Sequence, residues 1–592
     1  MSFQPNEIVR RGRAASVIVS GVLLFLMGGF FRNQVLHHAT YDLQSKSNRL
    51  RELPLPAPRG VIFDRHNKVI ADNVIGYSVS VLAMKEDTLR AVLQRLSGTI
   101  SITPPQIEQT LRRFRRAPAR PTVIIPDASF DVVSVLEERR AQFPGLIIQS
   151  APRRFYPDGP AVASFVGYVG EVSEAELAQT TFADYKAGQQ VGKQGLEKQY
   201  ELLLRGKEGI QFVEVDARGR VVRNSSSQQN LIPEAGPDLH TNIDLDLQKF
   251  VAGIFGDSLQ GGAVALDPQT GGVLALYSAP SYDGNRFIGG VSARYFDSLR
   301  TDERRPLYNK ALQGTYPPGS TWKLATTAIG LETGAVKMTD RMPIPCTGGM
   351  QFGSRYFRCW KPEGHGFLDL KGAIAKSCDV YFYQLGLRLG IARLVAGGVA
   401  IGFDKKAGID LPEELKPRFP KTTEYFDTKY GKGRWNNSLV LSMAIGQGDN
   451  SQTILNMAKF YTALGTDGKA ATPQIRTGAP DRVQVVQLTG DQMEQIREAL
   501  VGVVTSGTAA ASAIKGVQLA GKTGTAQSGK YVNGKELNHA WFVGFAPADK
   551  PSIVVAVMIE FGGHGTRAAA IASKIIQAYL HVTPVVDLTV EG

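Results

Sequence analysis

The first strong hydrophobic signal along the chain is Ala14–Phe31, AASVIVSGVLLFLMGGFF, eighteen residues without a charge. That is the lower limit of what crosses a bilayer core as a helix. Arg10, Arg11 and Arg13 precede it, which predicts a cytoplasmic N-terminus and an exported body after about residue 32. The run is longer than a usual signal-peptide core, and no clear small-x-small cleavage site follows, so a retained anchor is predicted. No later segment reads as a second crossing. From Ser47 to about Arg223 the pattern becomes short alternating runs such as YSVSVLAM and PTVIIP, broken by charges and prolines, which predicts an elongated β-rich region with helical insertions. RGVIFDRHNKVIADN (Arg59–Asn73) reads as strand, polar turn, strand. GKQGLEKQYELLLRGKEG (Gly192–Gly209) reads as a loop and one helix stopped by Gly206.

Turn residues cluster between Asn224 and Leu239, and a second domain is predicted beyond them. GGAVALDPQTGGVLALYSAP (Gly261–Pro280) is a hairpin pattern, as is HAWFVGFAPADKPSIVVAVMIE (His539–Glu560), which leads into the helical-period segment AAAIASKIIQAYL. Strands from both ends of a domain with helices between them predict an α+β layered architecture. AGKTGTAQ (Ala520–Gln527) comes just before the last hairpin and is predicted to be an adjoining strand, kept free of bulk at its edge. The predicted segments are a tail at 1–13, an anchor at 14–31, a pedestal at 32–235 and a second domain at 236–592.

Composition narrows the function classes. A net charge of +13 comes without a Lys/Arg-rich block or an aromatic-basic repeat, so nucleic acid is not a predicted partner. The surplus suits anionic lipid or cell-wall polymer. Three cysteines, an odd and small number, do not make a disulfide framework.

YPPGSTWKLATTAIGLETG places Ser320 and Lys323 three apart at the opening of a helical run, where i and i+3 share a face and the amine can approach the hydroxyl. Helix N-termini favour developing negative charge, which suits a serine nucleophile. Ser512-x-x-Lys515 is a second, chance-level match. KSCDVYFYQLG adds Ser377-x-Asp379, and AGKTGTAQ adds Lys522, Thr523, Gly524 and Thr525. In this order, 57 and 145 residues apart, the three motifs are specific together, although each is weak alone.

The set resembles the penicillin-binding and serine β-lactamase superfamily. RGVIFDR, GLEKQYELLLRG, TNIDLDLQ, GGAVALDPQTGGVLALYS, AIGQG and HAWFVGFAP resemble segments of its class B, monofunctional members: a membrane anchor, a pedestal and a transpeptidase domain, with no room for a glycosyltransferase domain. Asp379 stands where the usual motif has Asn, which is similar to the elongation-type penicillin-binding protein 2 rather than the division-type protein 3. The resemblance implies a serine-type D-Ala-D-Ala transpeptidase of the bacterial inner membrane that crosslinks peptidoglycan stem peptides in cell-wall synthesis and cell shape, and is a target of β-lactam antibiotics. It implies that Ser320 is the nucleophile and Lys323 its base, with Ser377 and Lys522 relaying a proton to the leaving amine. Lys522, Thr523 and Thr525 would hold the substrate carboxylate, and the N–H groups of Ser320 and Thr525 would form the oxyanion hole. Gly524 would leave room for an extended peptide. A SEDS-family glycosyltransferase and other elongation-complex proteins are the implied partners.

Against the β-lactamase reading, no segment clearly resembles the loop carrying the deacylating glutamate of class A enzymes. A β-lactam receptor would need an output domain, which about thirteen cytoplasmic residues do not provide. An idle scaffold would not need the complete serine–lysine set.

The spacing Cys346-x12-Cys359-x5-His365-x12-Cys378 admits a structural zinc site, a disulfide with one free thiol, or three small buried hydrophobes. Elongation-type relatives are similar in having a metal-binding position here, which implies a structural zinc ion; the acyl transfer itself needs no cofactor. His539 and His564 read as surface or hairpin residues, and His240, His37 and His38 have no partner pattern.

Overall fold

The structure, a computed structural model, describes residues 5–37, 50–82, 85–118, 120–143, 145–216, 221–225, 228–478 and 480–582. A single helix, Pro5–Phe31, continues through a π-helical turn to Leu36 and is fully exposed along its apolar length, with a mean hydropathy of 2.2 over Ile8–Leu36. Its continuous apolar surface has no protein to bury against, as a bilayer-spanning helix requires. A second helix, Asp379–Ile401, also reaches a mean hydropathy of 1.3, contrary to the sequence reading of one apolar segment. It is a core helix of the second domain, interrupted at Gly390.

In the pedestal, the long strand Val69–Val81 pairs antiparallel with Thr122–Ala128 and Leu146–Phe155, and helices Glu86–Ser97 and Pro104–Arg116 pack their apolar faces beside this sheet. The two motif segments left without chemistry by the sequence meet here. Glu197, fully buried, accepts from Arg59 and Arg154, whose nearest guanidinium nitrogens lie 2.8 and 2.6 Å away. Glu201 accepts from the same Arg59 nitrogen, Nη2, at 2.8 Å, from Arg59 Nη1 at 3.3 Å and from the Tyr185 hydroxyl at 2.6 Å. Burial alone would raise the Glu197 carboxyl, but Arg154 and Arg59 outweigh it and hold the group below its usual range. The predicted single helix is two short ones, Gly195–Gln199 and Glu201–Leu204. They break at Tyr200, whose hydroxyl reaches out to Asp410 at 2.7 Å instead of packing along a helix face. Glu197→Ala leaves the buried Arg154 guanidinium without a carboxylate and Arg59 with Glu201 alone, and should cost about 3–5 kcal/mol, read as a lower denaturant midpoint for the pedestal.

Contacts between the pedestal and the second domain continue past residue 236. Leu239–His240 still adds a parallel strand to Ile62–Phe63, with His240 stacked on Phe63, and Asp64 accepts the Leu245 N–H at the start of the next helix. The second domain is built on a five-stranded antiparallel sheet in the order Val273–Ala279, Gly261–Leu266, Ile553–Ile559, His539–Ala546, Ala520–Ala526. Its strands are buried along nearly their whole length because helices cover both faces, among them Ile454–Gly465 and Gly565–Tyr579. The AGKTGTAQ segment is the edge strand, as the sequence predicted.

Candidate active site

Three chain segments converge against that edge strand. Ser320 lies in a tight 3-10 turn, Gly319–Trp322, that runs into helix Lys323–Glu332. Gly319 has φ +55°, and a Cβ there would sit 2.8 Å from the Thr525 carbonyl oxygen, so only glycine lets the turn lie on the strand. The Gly319 N–H donates to the Gly446 carbonyl at 2.9 Å, which places the AIGQG segment behind the serine. Trp322, buried between Phe403 and Phe419, anchors the turn from below.

Lys323 is fully buried, and its amine donates to the Ser377 carbonyl at 2.8 Å, to Asp379 Oδ1 at 2.8 Å and to Ser377 Oγ at 3.3 Å. The predicted approach to the Ser320 hydroxyl is not made, because the Ser377–Asp379 loop takes up the donors of the amine. Ser320 Oγ is half-buried and has no hydrogen-bond partner among the described residues. Ser377 itself is held at φ +53°, a left-handed conformation costly for a residue with a Cβ. Asp379 opens helix Asp379–Ile401, and its Oδ2 accepts the Trp360 N–H at 3.0 Å. Burial pushes the Asp379 carboxyl above its ordinary range, while Lys323 pulls it back.

Lys522 is also fully buried. Burial pushes its amine well below its usual range, Lys323 adds to this and Asp379 opposes it. Thr525 is exposed, and its hydroxyl oxygen accepts the Gly565 N–H at 3.3 Å. Thr523 is buried and hydrogen-bonded through its hydroxyl to that of Thr508 at 2.5 Å. A Cβ at Gly524 would meet Pro318 O at 2.9 Å and Thr321 Cγ2 at 3.1 Å, so the glycine lets the strand lie close against the Ser320 turn. Ser512 lies in a separate turn, Ala510–Ser512, outside this cluster.

Behind the Ser377 loop, Cys346, Cys359, His365 and Cys378 bring four donor atoms within 4.8 Å of one another, and the three cysteines are free thiols. His365 Nδ1 lies 3.5 Å from Cys346 Sγ and 3.6 Å from Cys359 Sγ. Zinc bonds of about 2.3 Å to sulfur and 2.0 Å to nitrogen at tetrahedral angles set sulfur–nitrogen edges of about 3.6 Å, so the donor set fits that ion.

Sequence reasoning missed Trp360, whose indole N–H donates to the carbonyls of Lys376 and Ser377, both at 3.1 Å, and Thr508. Neither belongs to a motif; position beside Cys359 was the one available cue for Trp360. His539 was read as a surface or hairpin residue, yet it is buried between the rings of Tyr316 and Phe561, because it opens a fully covered strand.

Comparison with known proteins agrees with this geometry. Residues 54–241 match the penicillin-binding protein dimerisation domain and residues 261–577 the penicillin binding protein transpeptidase domain. The peptidoglycan D,D-transpeptidase MrdA of Acinetobacter baumannii is 33% identical, with 98% of this chain and 89% of that protein covered. Among solved structures, penicillin-binding protein 2 in its complex with MreC from Helicobacter pylori superposes with a TM-score of 0.77 at 27% identity, covering 90% of this chain and 99% of that one. A chain of a peptidoglycan synthase complex that coordinates polymerization and crosslinking matches with a TM-score of 0.71 at 28% identity, covering 98% and 100%.

Proposed function

The chain belongs to the class B penicillin-binding proteins of the type 2, MrdA-like branch and is a peptidoglycan D,D-transpeptidase of cell elongation; from that premise we propose how its own residues share the reaction. Ser320 Oγ attacks the carbonyl carbon of the penultimate D-Ala of a stem peptide, the peptide bond breaks, and the terminal D-Ala leaves with the proton returned to its amine. An amine of a neighbouring strand then displaces the serine, which closes the crosslink. With its amine neutral, Lys323, one turn along from Ser320, takes the hydroxyl proton, and Ser377 with Lys522 carries it to the leaving group. Asp379 and the Ser377 carbonyl hold the amine in place. Lys522, Thr523 and Thr525 receive the substrate carboxylate, and the N–H groups of Ser320 and Thr525 receive the oxyanion.

The observation that carries this division of labour is the buried Lys323 amine, bonded at once to Ser377 and Asp379 beside the Lys522 strand. The test is the site of covalent attachment of a labelled penicillin, located by peptide mass mapping. The adduct is expected on the peptide containing Ser320; attachment at Ser512 would overturn the assignment.

Cys346, Cys359, His365 and Cys378 would hold one zinc ion, whose contribution is to fix the loop carrying Ser377. Its bonds are structural, and the acyl transfer runs without it. The N-terminus lies in the cytoplasm by the arginines at 10, 11 and 13, with the catalytic domain outside the membrane. Relatives crystallised with MreC, or found in a peptidoglycan synthase complex, support two partners here: a scaffold on the pedestal, and a SEDS-type polymerase that makes the strands this protein joins.

A further inference from the structure

We propose that a cleft of about 460 Å³ beside the catalytic loop, walled by Trp360, Lys361, Glu363, Lys376, Ser506 and Thr508, is a subsite for a carboxylate-bearing stretch of stem peptide. The proposal rests on the transpeptidase reading and adds to it a determinant of which peptides are used.

The cleft borders two of the three motifs. Lys376 directly precedes Ser377 on one side, and on the other Thr508 shares a hydrogen bond with Thr523. A peptide whose reacting carbonyl sits at Ser320 therefore has this cleft within reach of its neighbouring residues.

The chemistry of the walls is selective. Lys361 and Lys376 are exposed, and neither forms an ion pair among the described residues; Glu363 is the one acid in the lining. Two unspent ammonium groups against one carboxylate favour an anionic guest. Trp360 adds a flat apolar face that is 55% exposed. Its ring is already fixed by the indole N–H bonds to the Lys376 and Ser377 carbonyls, and its backbone by the bond to Asp379, so a guest stacking on it orders nothing further. The hydroxyl oxygens of Ser506 and Thr508, already bonded to the Gly502 carbonyl and the Thr523 hydroxyl, retain lone pairs for a peptide N–H. An extended peptide with a side carboxylate matches this combination of flat face, hydroxyls and cations.

That carboxylate could belong to the donor peptide, which acylates Ser320, or to the acceptor peptide, which supplies the amine. The test uses the full chain in detergent micelles with paired synthetic stem peptides that differ only in carboxylate against carboxamide at one residue. D-Ala release reads the donor, and amine transfer reads the acceptor. The wild type is expected to prefer the carboxylate form by about tenfold in one of these assays. Lys361→Ala with Lys376→Ala should bring that ratio close to one, whereas Lys361→Arg with Lys376→Arg should keep it. Penicillin labelling of each variant reports that it is folded. The assay in which the ratio collapses identifies the source. Equal use of both peptide forms by the wild type, or a ratio unmoved in the labelled alanine variant, overturns the subsite. Failure of the wild type to acylate Ser320 at all would instead overturn the transpeptidase roles on which it rests.

Discussion

Ser320→Ala takes up no labelled penicillin, a loss of at least about a thousandfold, while its melting temperature stays at the wild-type value. The two halves of this result have separate causes. The hydroxyl is the atom that becomes esterified, so nothing nearby replaces it. It is also half-buried and unbonded among the described residues, so its removal opens no large cavity and orphans no partner. Lys323→Ala should lose nearly as much acylation, since residues that act as a unit are not additive. It differs in stability, because Asp379 is left buried without its cation and the Ser377 carbonyl keeps only the Trp360 indole donor. Measuring acylation rate and melting temperature on both variants separates the roles: nucleophile lost at constant stability, amine lost together with stability. Labelling that survived in Ser320→Ala would sink the assignment.

Removing one cysteine is expected to lower stability and acylation together although it takes away no catalytic group. Cys378 lies between Ser377 and Asp379, and its thiol meets the other three donors while Ser377 and Asp379 turn to Lys323. Structural zinc contributes on the order of 10 kcal/mol to a small site, and the loss of one ligand costs several of these. The left-handed backbone of Ser377 closes helix Leu370–Ala375, with the Ser377 and Cys378 N–H groups bonded to the Ile374 and Ala373 carbonyls, and the Cys378 thiol fastens that cap from behind. A shift of about 1 Å at Ser377 is enough to slow the reaction about a hundredfold. Cys378→Ser should therefore melt earlier and acylate more slowly, and metal analysis of purified protein should find about one zinc per chain in the wild type. A content far below one, or a Cys346–Cys359 disulfide in the peptide map, would remove the zinc reading.

Local periodicity made much of the architecture readable. Both hairpins of the central sheet, the edge strand of Lys522 and the final helix follow from alternation, turn residues and a 3.6-residue period. The three motifs were readable because their order and spacing are improbable together. What escaped was set by contacts between distant segments. No local pattern could show that Tyr200 breaks a helix to reach Asp410, or that His539 is covered by Tyr316 and Phe561. Lys323 was expected to face Ser320, and helical spacing allows it; the competing pull of Ser377 and Asp379 comes from a loop that the spacing does not contain. The turn that presses on Gly524 lies some two hundred residues earlier, beyond the reach of any local pattern.

The central sheet also constrains when the enzyme first exists during synthesis. Strand Gly261–Leu266 pairs with Ile553–Ile559, and Ser320 rests on a strand that begins at Ala520, so neither the core nor the catalytic cluster can close until almost the last segment has been made. Pairing of such distant segments is slow, and the early half must wait with its apolar strands uncovered. Meanwhile the anchor keeps the waiting chain at the membrane surface, and a chain truncated before the final hairpin would occupy its place there without ever acquiring a nucleophile.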